Sequence, residues 1–289
     1  MASNTLAYLK DVRSGIEWAQ KELSFLSPEE AQEECEIIFS TLAGVSRPEI
    51  YFKTDFGPDL FQEFSRLIEE RKKRFPLAYL LKRVSFWDDE LEIEEGVLIP
   101  RSETEILIGA FHQLSGFSSK DSFSFLDWGS GSGNIAVTIA KLFPGSKGIG
   151  LDLSAEAVSL GRKNAERLGV SNRLEWLEAD GFQIFGDREF DVIFSNPPYI
   201  KTEDCKRLQP EVLKEPRLAL DGGEDGLHFY RMIFKNLRCL KPNGSLWVEM
   251  GWDQSEAVQS FFKGNFQHVN VFKDFNQIER IVGGLGFHG

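Results

Sequence analysis

The stretch Asn196-Pro197-Pro198-Tyr199 combines a side-chain amide, two residues with no backbone N–H, and an aromatic ring. Two consecutive prolines cannot continue a sheet, so Phe190-Asp191-Val192-Ile193-Phe194-Ser195 before them reads as a buried strand that ends there. Each proline also pushes the residue before it into extended backbone, which stiffens the loop. A stiff, acceptor-rich loop of this kind can grip a planar NH2 group. Asn196 Oδ1 and the Pro197 carbonyl would each accept one hydrogen, and the Tyr199 ring would cover the flat group. A bare Asn-Pro-Pro is more often only a strand-ending turn, so the rest of the chain has to decide.

A second strand, Ser124-Phe125-Leu126-Asp127-Trp128, runs into Gly129-Ser130-Gly131-Ser132-Gly133, and a helix opens at Asn134-Ile135-Ala136. Glycines there let the backbone approach a ligand and allow positive φ. The strand–turn–helix context strengthens an otherwise weak signal. The next strand, Gly148-Ile149-Gly150-Leu151-Asp152, ends in an acid 19 residues beyond Gly133. A carboxylate at that place can accept hydrogen bonds from both hydroxyls of a ribose, with Leu153 beside it; a helix cap is the plainer alternative. Glu178-Ala179-Asp180-Gly181-Phe182 marks a third strand end. Asp180 could accept from an adenine amino group, and the backbone of Gly181 or Phe182 could reach the ring edge. The glycine pattern departs from the Gly-x-Gly-x-x-Gly of dinucleotide sites, because Ala136 holds the packing position. Gly-x-Gly-x-Gly suits S-adenosylmethionine better. Asp127 would orient the turn or meet the cationic amino group of the methionine part.

These loops must be carried by a scaffold, and the elements are legible. From about residue 122 the pattern alternates strand and helix: strands at 123–128, 147–152, 173–178, 190–195 and 244–249, helices at 133–143, 155–168 and 226–240. That alternation predicts an α/β fold with a parallel sheet covered on both faces. The tail, with Val269-Asn270-Val271-Phe272 and Arg280-Ile281-Val282-Gly283, could add closing strands. Residues 1–84 read as helical: Leu6, Leu9, Val12, Ile16 and Ala19 recur at helical spacing, and Ser27-Pro28-Glu29-Glu30 starts a second helix. Leu60, Phe61, Phe64, Leu67 and Ile68 form another stripe, running into Arg71-Lys72-Lys73-Arg74, which reads as a solvated basic helix end. Residues 85–99 read as a linking β-hairpin with Asp88-Asp89-Glu90 as its turn, and residues 100–289 as the α/β domain.

The net charge of −12 argues against a large phosphate-neutralising surface, so no nucleic-acid partner is expected. Cys35, Cys205 and Cys239 are few, far apart and odd in number, which fits a reducing cytosol rather than a disulfide framework. The four histidines have no ligand spacing to the cysteines, and no metal is assigned. No apolar run approaches the ~20 residues of a membrane span, and no signal peptide is visible. A cytoplasmic monomer with no membrane partner is the expectation.

The glycine turn after Asp127, Asp152 at the second strand end and Asn196-Pro197-Pro198-Tyr199 at the fourth resemble a class I S-adenosylmethionine-dependent methyltransferase acting on nitrogen. Three further stretches are similar to the HemK/PrmC family of release-factor glutamine N5-methyltransferases. They are Val97-Leu98-Ile99-Pro100-Arg101-Ser102-Glu103-Thr104-Glu105, Glu215-Pro216 through Gly222-Gly223-Glu224-Asp225-Gly226-Leu227, and Leu240-Lys241-Pro242-Asn243-Gly244 leading to Glu249-Met250-Gly251-Trp252-Asp253-Gln254. The resemblance implies a Rossmann-like, doubly wound, mostly parallel seven-stranded sheet with a small N-terminal helical substrate-recognition domain. It implies methyl transfer to the glutamine of a Gly-Gly-Gln tripeptide in a peptide-chain release factor, leaving S-adenosylhomocysteine. It also implies that Arg101 and Thr104 approach the methionine end of the cofactor. Trp128 departs from the family, which usually carries a smaller aliphatic residue there. The competing readings are glutamine methylation of a ribosomal protein, exocyclic-amine methylation of nucleic acid, a nucleotide-dependent oxidoreductase and a cofactor-sensing module.

Overall fold

The computed structural model describes residues 11–52, 57–180 and 188–289. Its larger unit, Arg83–Gln209 with Glu215–Gly289, is built on a seven-stranded sheet. The strands are β3 (Ser124–Trp128), β4 (Lys147–Asp152), β5 (Leu174–Glu178), β6 (Phe190–Ser195), β7 (Leu240–Glu249), β8 (Phe266–Lys273) and β9 (Glu279–Phe287). They lie in the order β5-β4-β3-β6-β7-β9-β8; β3 through β7 pair in parallel, and β9 pairs antiparallel with β7 and β8. The tail thus supplies both closing strands.

Period-2 alternation assigns the side chains to two cores, one on each face. Phe125, Val192, Phe194 and Trp247 join one cluster; Leu126, Trp128, Ile193, Leu246 and Val248 join the other. The first is packed with rings: Phe111 of the Ser102–Leu114 helix meets Phe194 edge-on at 4.8 Å and Trp247 at 5.8 Å between centroids. This placement decides what the polar residues on the same face touch. Asp127 shares the face of Phe125 and Glu249 that of Trp247, so both carboxyls are turned into a closed interior.

A two-stranded hairpin precedes the sheet, β1 (Arg83–Phe86) paired with β2 (Asp89–Glu92). Its turn is Trp87-Asp88, with Trp87 at φ 55°. Asp89 and Glu90 lie in β2 rather than in the turn, and Val97, Leu98 and Ile99 leave the hairpin as a loop. The predicted helix at 226–240 is shorter, His228–Lys235, because the chain tightens into a 3-10 turn at Leu237–Cys239 before β7.

The smaller unit comprises Met1–Lys82 and Pro210–Lys214. Its helices include Val12–Glu22, Pro28–Ala43, Pro58–Lys72 and Leu77–Leu81; Leu6 and Leu9 lie outside the described residues. Ser27 caps the second reciprocally: its Oγ accepts from the Glu30 N–H at 3.2 Å, and Glu30 Oε2 accepts from the Ser27 N–H at 2.9 Å. Phe39 stacks on Phe64 at 3.9 Å between centroids, close enough to Gly15 that a Cβ there would lie 2.6 Å from the Phe39 ring.

The basic run differs from its sequence reading. Arg71 is 4% exposed, forked on Glu34 at 2.7 and 2.9 Å and bonded to Glu211 at 2.9 Å. Arg74 makes a two-bond fork to Glu211 at 2.6 Å, and both guanidiniums lie over the Phe25 ring. Apolar and acidic partners distant in sequence recruit these arginines from the helix surface, which helical periodicity alone cannot report. Burial pushes the Glu211 carboxyl up, but its bonds to Arg74 and Arg71 outweigh that and hold it down at about 2. A depressed native pKa stabilises the fold above the ordinary glutamate value of 4.5 and loses that contribution as pH falls toward about 2. Denaturant midpoints measured across that window should therefore fall more steeply for the wild type than for Glu211→Gln. Parallel curves would remove Glu211 from the acid sensitivity.

Candidate active site

The strand order reverses beside β3: the chain runs β3, β4, β5 outward on one side and restarts at β6 on the other. That reversal opens a crevice at the carboxyl ends of the strands, the usual ligand position in doubly wound sheets. It also brings together loops 67 residues apart in sequence, because Ser195 Oγ donates to the Trp128 carbonyl at 2.7 Å. A cavity of about 360 Å³ lies there. Its walls come from Gly129 and Gly131 after β3, Asp152 and Leu153 after β4, Ala179 and Asp180 after β5, and Asn196, Pro197 and Pro198 after β6.

The glycine turn has two separate reasons for its glycines. Gly129 (φ 79°) and Gly131 (φ 53°) adopt left-handed backbone and face open space, so their main chain forms bare cavity wall. Gly133 (φ 80°) is instead closed in by Trp176: a Cβ would meet the indole at 2.6 Å, and the same ring would meet a Cβ at Gly150 or Gly161 at 2.3 Å. One indole thus sets the height of the turn against β4 and the Ala155–Arg167 helix. Asn164 of that helix pins it from the side, with Nδ2 donating to the Ser132 and Glu92 carbonyls, both at 3.0 Å, while Oδ1 accepts from the Glu92 N–H at 2.8 Å. Trp176 and Asn164 have no motif signal; only their burial against the turn reveals them.

Asp127 is fully buried behind the turn, where Oδ2 accepts from the Ala136 N–H at 3.0 Å and Oδ1 has no partner. Burial pushes its carboxyl up to about 7. Ser130 and Ser132 are buried with unpartnered hydroxyls. Asp152 accepts from the Gly131 N–H at 2.8 Å and the Ser154 N–H at 3.0 Å. Burial raises its pKa against the Ser154, Gly131 and Leu153 N–H groups, and the residue lines the cavity. Leu153 stays 47% exposed, an apolar surface at the cavity wall. Gly181 and Phe182 lie outside the described residues.

At the far end of the cavity the prolyl loop is held from behind. Asn196 Nδ2 donates to Thr104 Oγ1 at 3.0 Å, and Thr104 Oγ1 donates to Glu249 Oε2 at 2.5 Å. Tyr199 donates its hydroxyl to Glu249 Oε1 at 3.2 Å, and burial with the nearby carboxylate raises its pKa. Thr104 and Glu249 are fully enclosed, 0% and 1% exposed. Neither Thr104, Tyr199 nor Arg101 lines the cavity. Arg101 reaches Glu215 Oε1 at 2.5 Å, and Glu215 Oε2 accepts from the Ile99 N–H at 3.0 Å, so the 97–105 stretch and the Glu215-Pro216 stretch lock together. Asn196 lines the cavity, and with Nδ2 bonded to Thr104 its Oδ1 has no partner among the described residues. Among the described residues no hydrogen bond reaches the Pro197 carbonyl.

The loop's outer side is latched by Gln254, whose Nε2 donates to the Tyr199 carbonyl at 2.9 Å and the Gly226 carbonyl at 3.1 Å. Gly222 and Gly226 pack on the same backbone: a Cβ at Gly222 would lie 2.7 Å from Tyr199 Cα, and one at Gly226 2.4 Å from the Tyr199 carbonyl oxygen. Sequence reading did not assign a role to Glu249, Gln254 or these glycines. Their only signal in the sequence is their place in the stretches that carry the resemblance.

A doubly wound sheet with a glycine turn, a strand-end acid and an acceptor loop around one crevice defines a methyltransferase of the Rossmann-like class, and residues 119–281 match the family model of a methyltransferase domain. A solved methyltransferase from Pyrococcus furiosus shares this fold at a TM-score of 0.50 and 19% identity, over 68% of this chain and 89% of that one. Residues 16–81 match the PrmC N-terminal domain. The release factor glutamine methyltransferase of Caulobacter vibrioides is 40% identical over 256 residues, 86% of this chain and 87% of its own length. That of Geobacter sulfurreducens is 38% identical over 94% of this chain and 96% of its own length. The chain belongs to the release factor glutamine methyltransferase family.

Because the atoms opposing Gly222 are backbone, Gly222→Ala should displace the prolyl loop while leaving the glycine turn intact. Methyl transfer should fall at least tenfold, and binding in the cavity should hold within about twofold by calorimetry. Wild-type turnover would show that the loop tolerates the shift.

Proposed function

We propose that this chain transfers a methyl group from S-adenosylmethionine to the side-chain amide nitrogen (N5) of a glutamine, that of the Gly-Gly-Gln motif of a peptide-chain release factor, leaving S-adenosylhomocysteine. Family membership supports the reaction, and one observation in the structure carries the chemistry. Asn196 lines the cavity with Nδ2 bonded to Thr104 and Oδ1 unpaired among the described residues, next to a second unpaired acceptor on Pro197.

The cavity suits the cofactor. Gly129 and Gly131 would carry its polar chain on bare backbone, with Ser130, Ser132 and Gly133 shaping the turn. Asp152 would accept from the ribose hydroxyls, Leu153 and Asp180 would meet the base, and Asp127 would hold the turn in place. Arg101 and Thr104 act from the second layer in this reading. When bound, S-adenosylmethionine supplies an electrophilic methyl group on a sulfonium.

An amide nitrogen is a poor nucleophile because its lone pair is shared with the carbonyl. Asn196 Oδ1 and the Pro197 carbonyl accept both hydrogens of the target NH2 and favour a more tetrahedral nitrogen. As positive charge develops on that nitrogen, the two acceptors bind its hydrogens more strongly, which is selective transition-state stabilisation. The prolines fix the acceptors before the substrate arrives, and alignment contributes a further proximity term. The charged amide is acidic enough to lose its proton to water, so no strong general base is required. Tyr199, which does not line the cavity, supports the loop from behind through its bond to Glu249.

The N-terminal helical domain recognises the protein substrate, the enzyme works as a cytoplasmic monomer, and it needs no metal. No helix among the described residues is long and apolar enough to cross a membrane.

Mass mapping of a purified release factor after incubation with S-adenosylmethionine should place one methyl group on the glutamine of Gly-Gly-Gln. Asn196→Ala should reduce kcat by about 10²–10³-fold, the scale for a preorganised hydrogen-bonding group, with calorimetric cofactor affinity retained. Turnover at the wild-type rate would remove Asn196 from the reaction. Asp152→Ala should weaken cofactor binding by at least about tenfold, the equivalent of one charge-assisted hydrogen bond. An unchanged dissociation constant would refute the ribose contact.

A further inference from the structure

The acceptor role of Asn196 depends on which way its amide is turned, and the two ends of a carboxamide have nearly the same shape. The determinant lies two bonds back. Asn196 Nδ2–H donates to Thr104 Oγ1, the Thr104 O–H donates to Glu249 Oε2, and the Tyr199 O–H donates to Glu249 Oε1. Each hydroxyl has one hydrogen, and both are directed at the carboxylate. An acceptor-only group at the end of the chain therefore fixes every donor direction in it.

We propose that Glu249 is a positioning residue whose ionised carboxylate sets the donor–acceptor polarity of the Asn196 amide, so that methyl transfer switches off when Glu249 takes up a proton. The inference rests on the reading of Asn196 as the catalytic acceptor and adds regulation to that site.

The switch follows from proton counting. A proton on Oε2 makes Glu249 a donor to Thr104. The Thr104 hydrogen must then leave Oε2, and when it turns toward Asn196 it opposes the Nδ2 hydrogens. Rotation of the amide by half a turn relieves the clash, placing Oδ1 on Thr104 and Nδ2 in the cavity. A donor in that place cannot accept from the target NH2. No bond is made or broken apart from the uptake of one proton from water.

The surroundings support a proton uptake within reach of physiological pH. Burial of the carboxyl pushes it up, the Thr104 and Tyr199 hydroxyls pull it down, Glu103 of the Ser102–Leu114 helix raises it and Arg280 of β9 lowers it, leaving it at about 7. Arg280 is itself shared with Asp274 at 3.0 Å. From the His228–Lys235 helix, Tyr230 donates to the Glu249 backbone carbonyl at 2.8 Å, and Arg101 bears on Tyr199. A carboxyl with a raised pKa is charged only above that pKa, so the productive polarity exists on the alkaline side and is lost as pH falls.

The test is kcat against pH, from about 5.5 to 8.5, with intact release factor and S-adenosylmethionine saturating. Four proteins are compared: wild type, Glu249→Gln, Thr104→Val and Thr104→Ser. The wild-type kcat should fall at least tenfold over the acid limb. Glu249→Gln cannot titrate, and its profile should be flat. Thr104→Val breaks the relay without changing side-chain shape; it should be at least tenfold slower at about pH 8.5 and also flat. Thr104→Ser restores the hydroxyl and should recover the acid limb and much of the rate lost in Thr104→Val. Thermal unfolding and calorimetric cofactor affinity establish that each variant is folded, and Thr104→Val keeps the test decisive if Glu249→Gln does not fold. The proposal is overturned if Thr104→Val turns over at the wild-type rate, or if either relay variant retains the wild-type acid limb. Wild-type protein that methylates no release factor at any pH is a separate result: it overturns the assigned reaction, and the amide flip with it.

Discussion

A carboxamide offers a donor and an acceptor at two ends of nearly the same shape, and this site depends on holding one of them still. The prolyl loop removes the local competition. Neither Pro197 nor Pro198 has an N–H, so neither can draw the acceptors away. The remaining ambiguity, which end of Asn196 faces the cavity, is settled from inside the protein by Thr104 and Glu249. The outer wall of the loop is then fixed by Gln254 and by glycines that leave no room for a Cβ. Local backbone chemistry, a buried polar chain and steric exclusion all act on four residues.

The sheet order is what makes those constraints converge. Glu249 ends β7 and Asn196 follows β6, and these strands are parallel neighbours, with Ser195 opposite Val248. The period-2 pleat turns Glu249 to the Trp247 face, under the Ser102–Leu114 helix that carries Thr104. On the other side of β6 lies β3, and its glycine turn meets the prolyl loop through the Ser195–Trp128 bond. A one-residue slip in β7 would turn Glu249 to the opposite face and leave Thr104 without its acceptor.

The sequence made the scaffold and the cavity's loops legible because both are written in short-range terms. Strand-ending prolines, a glycine turn between strand and helix, and acids at strand ends are local chemistry. The groups that support them are long-range. Trp176 packs on Gly133, Gly150 and Gly161, and Asn164 ties the turn to the hairpin; each partner lies on a different element. Arg71 and Arg74 looked like a solvated helix end because the acids and ring that recruit them, Glu34, Glu211 and Phe25, are distant in sequence. In the sequence Glu249 stands out only as part of a stretch that carries the resemblance. Nothing in its neighbours announces that it is fully enclosed, since an acid after a buried strand is ordinarily solvated.

A buried carboxylate is a costly way to orient a threonine. Desolvating it costs several kcal/mol in real proteins, and two hydroxyl donors return part of that. An apolar residue at the end of β7 would pack without that penalty but would leave the Thr104 hydroxyl free to donate in either direction. A glutamine could satisfy the same two hydroxyls, yet it carries both a donor and an acceptor and would reproduce the ambiguity of Asn196 one step further back. Only a group with acceptors alone ends the chain with a defined direction, and among side chains of this length that group is an ionised carboxylate. The stability given up at Glu249 is therefore exchanged for a single amide orientation at Asn196, and the exchange holds only while the carboxylate stays charged.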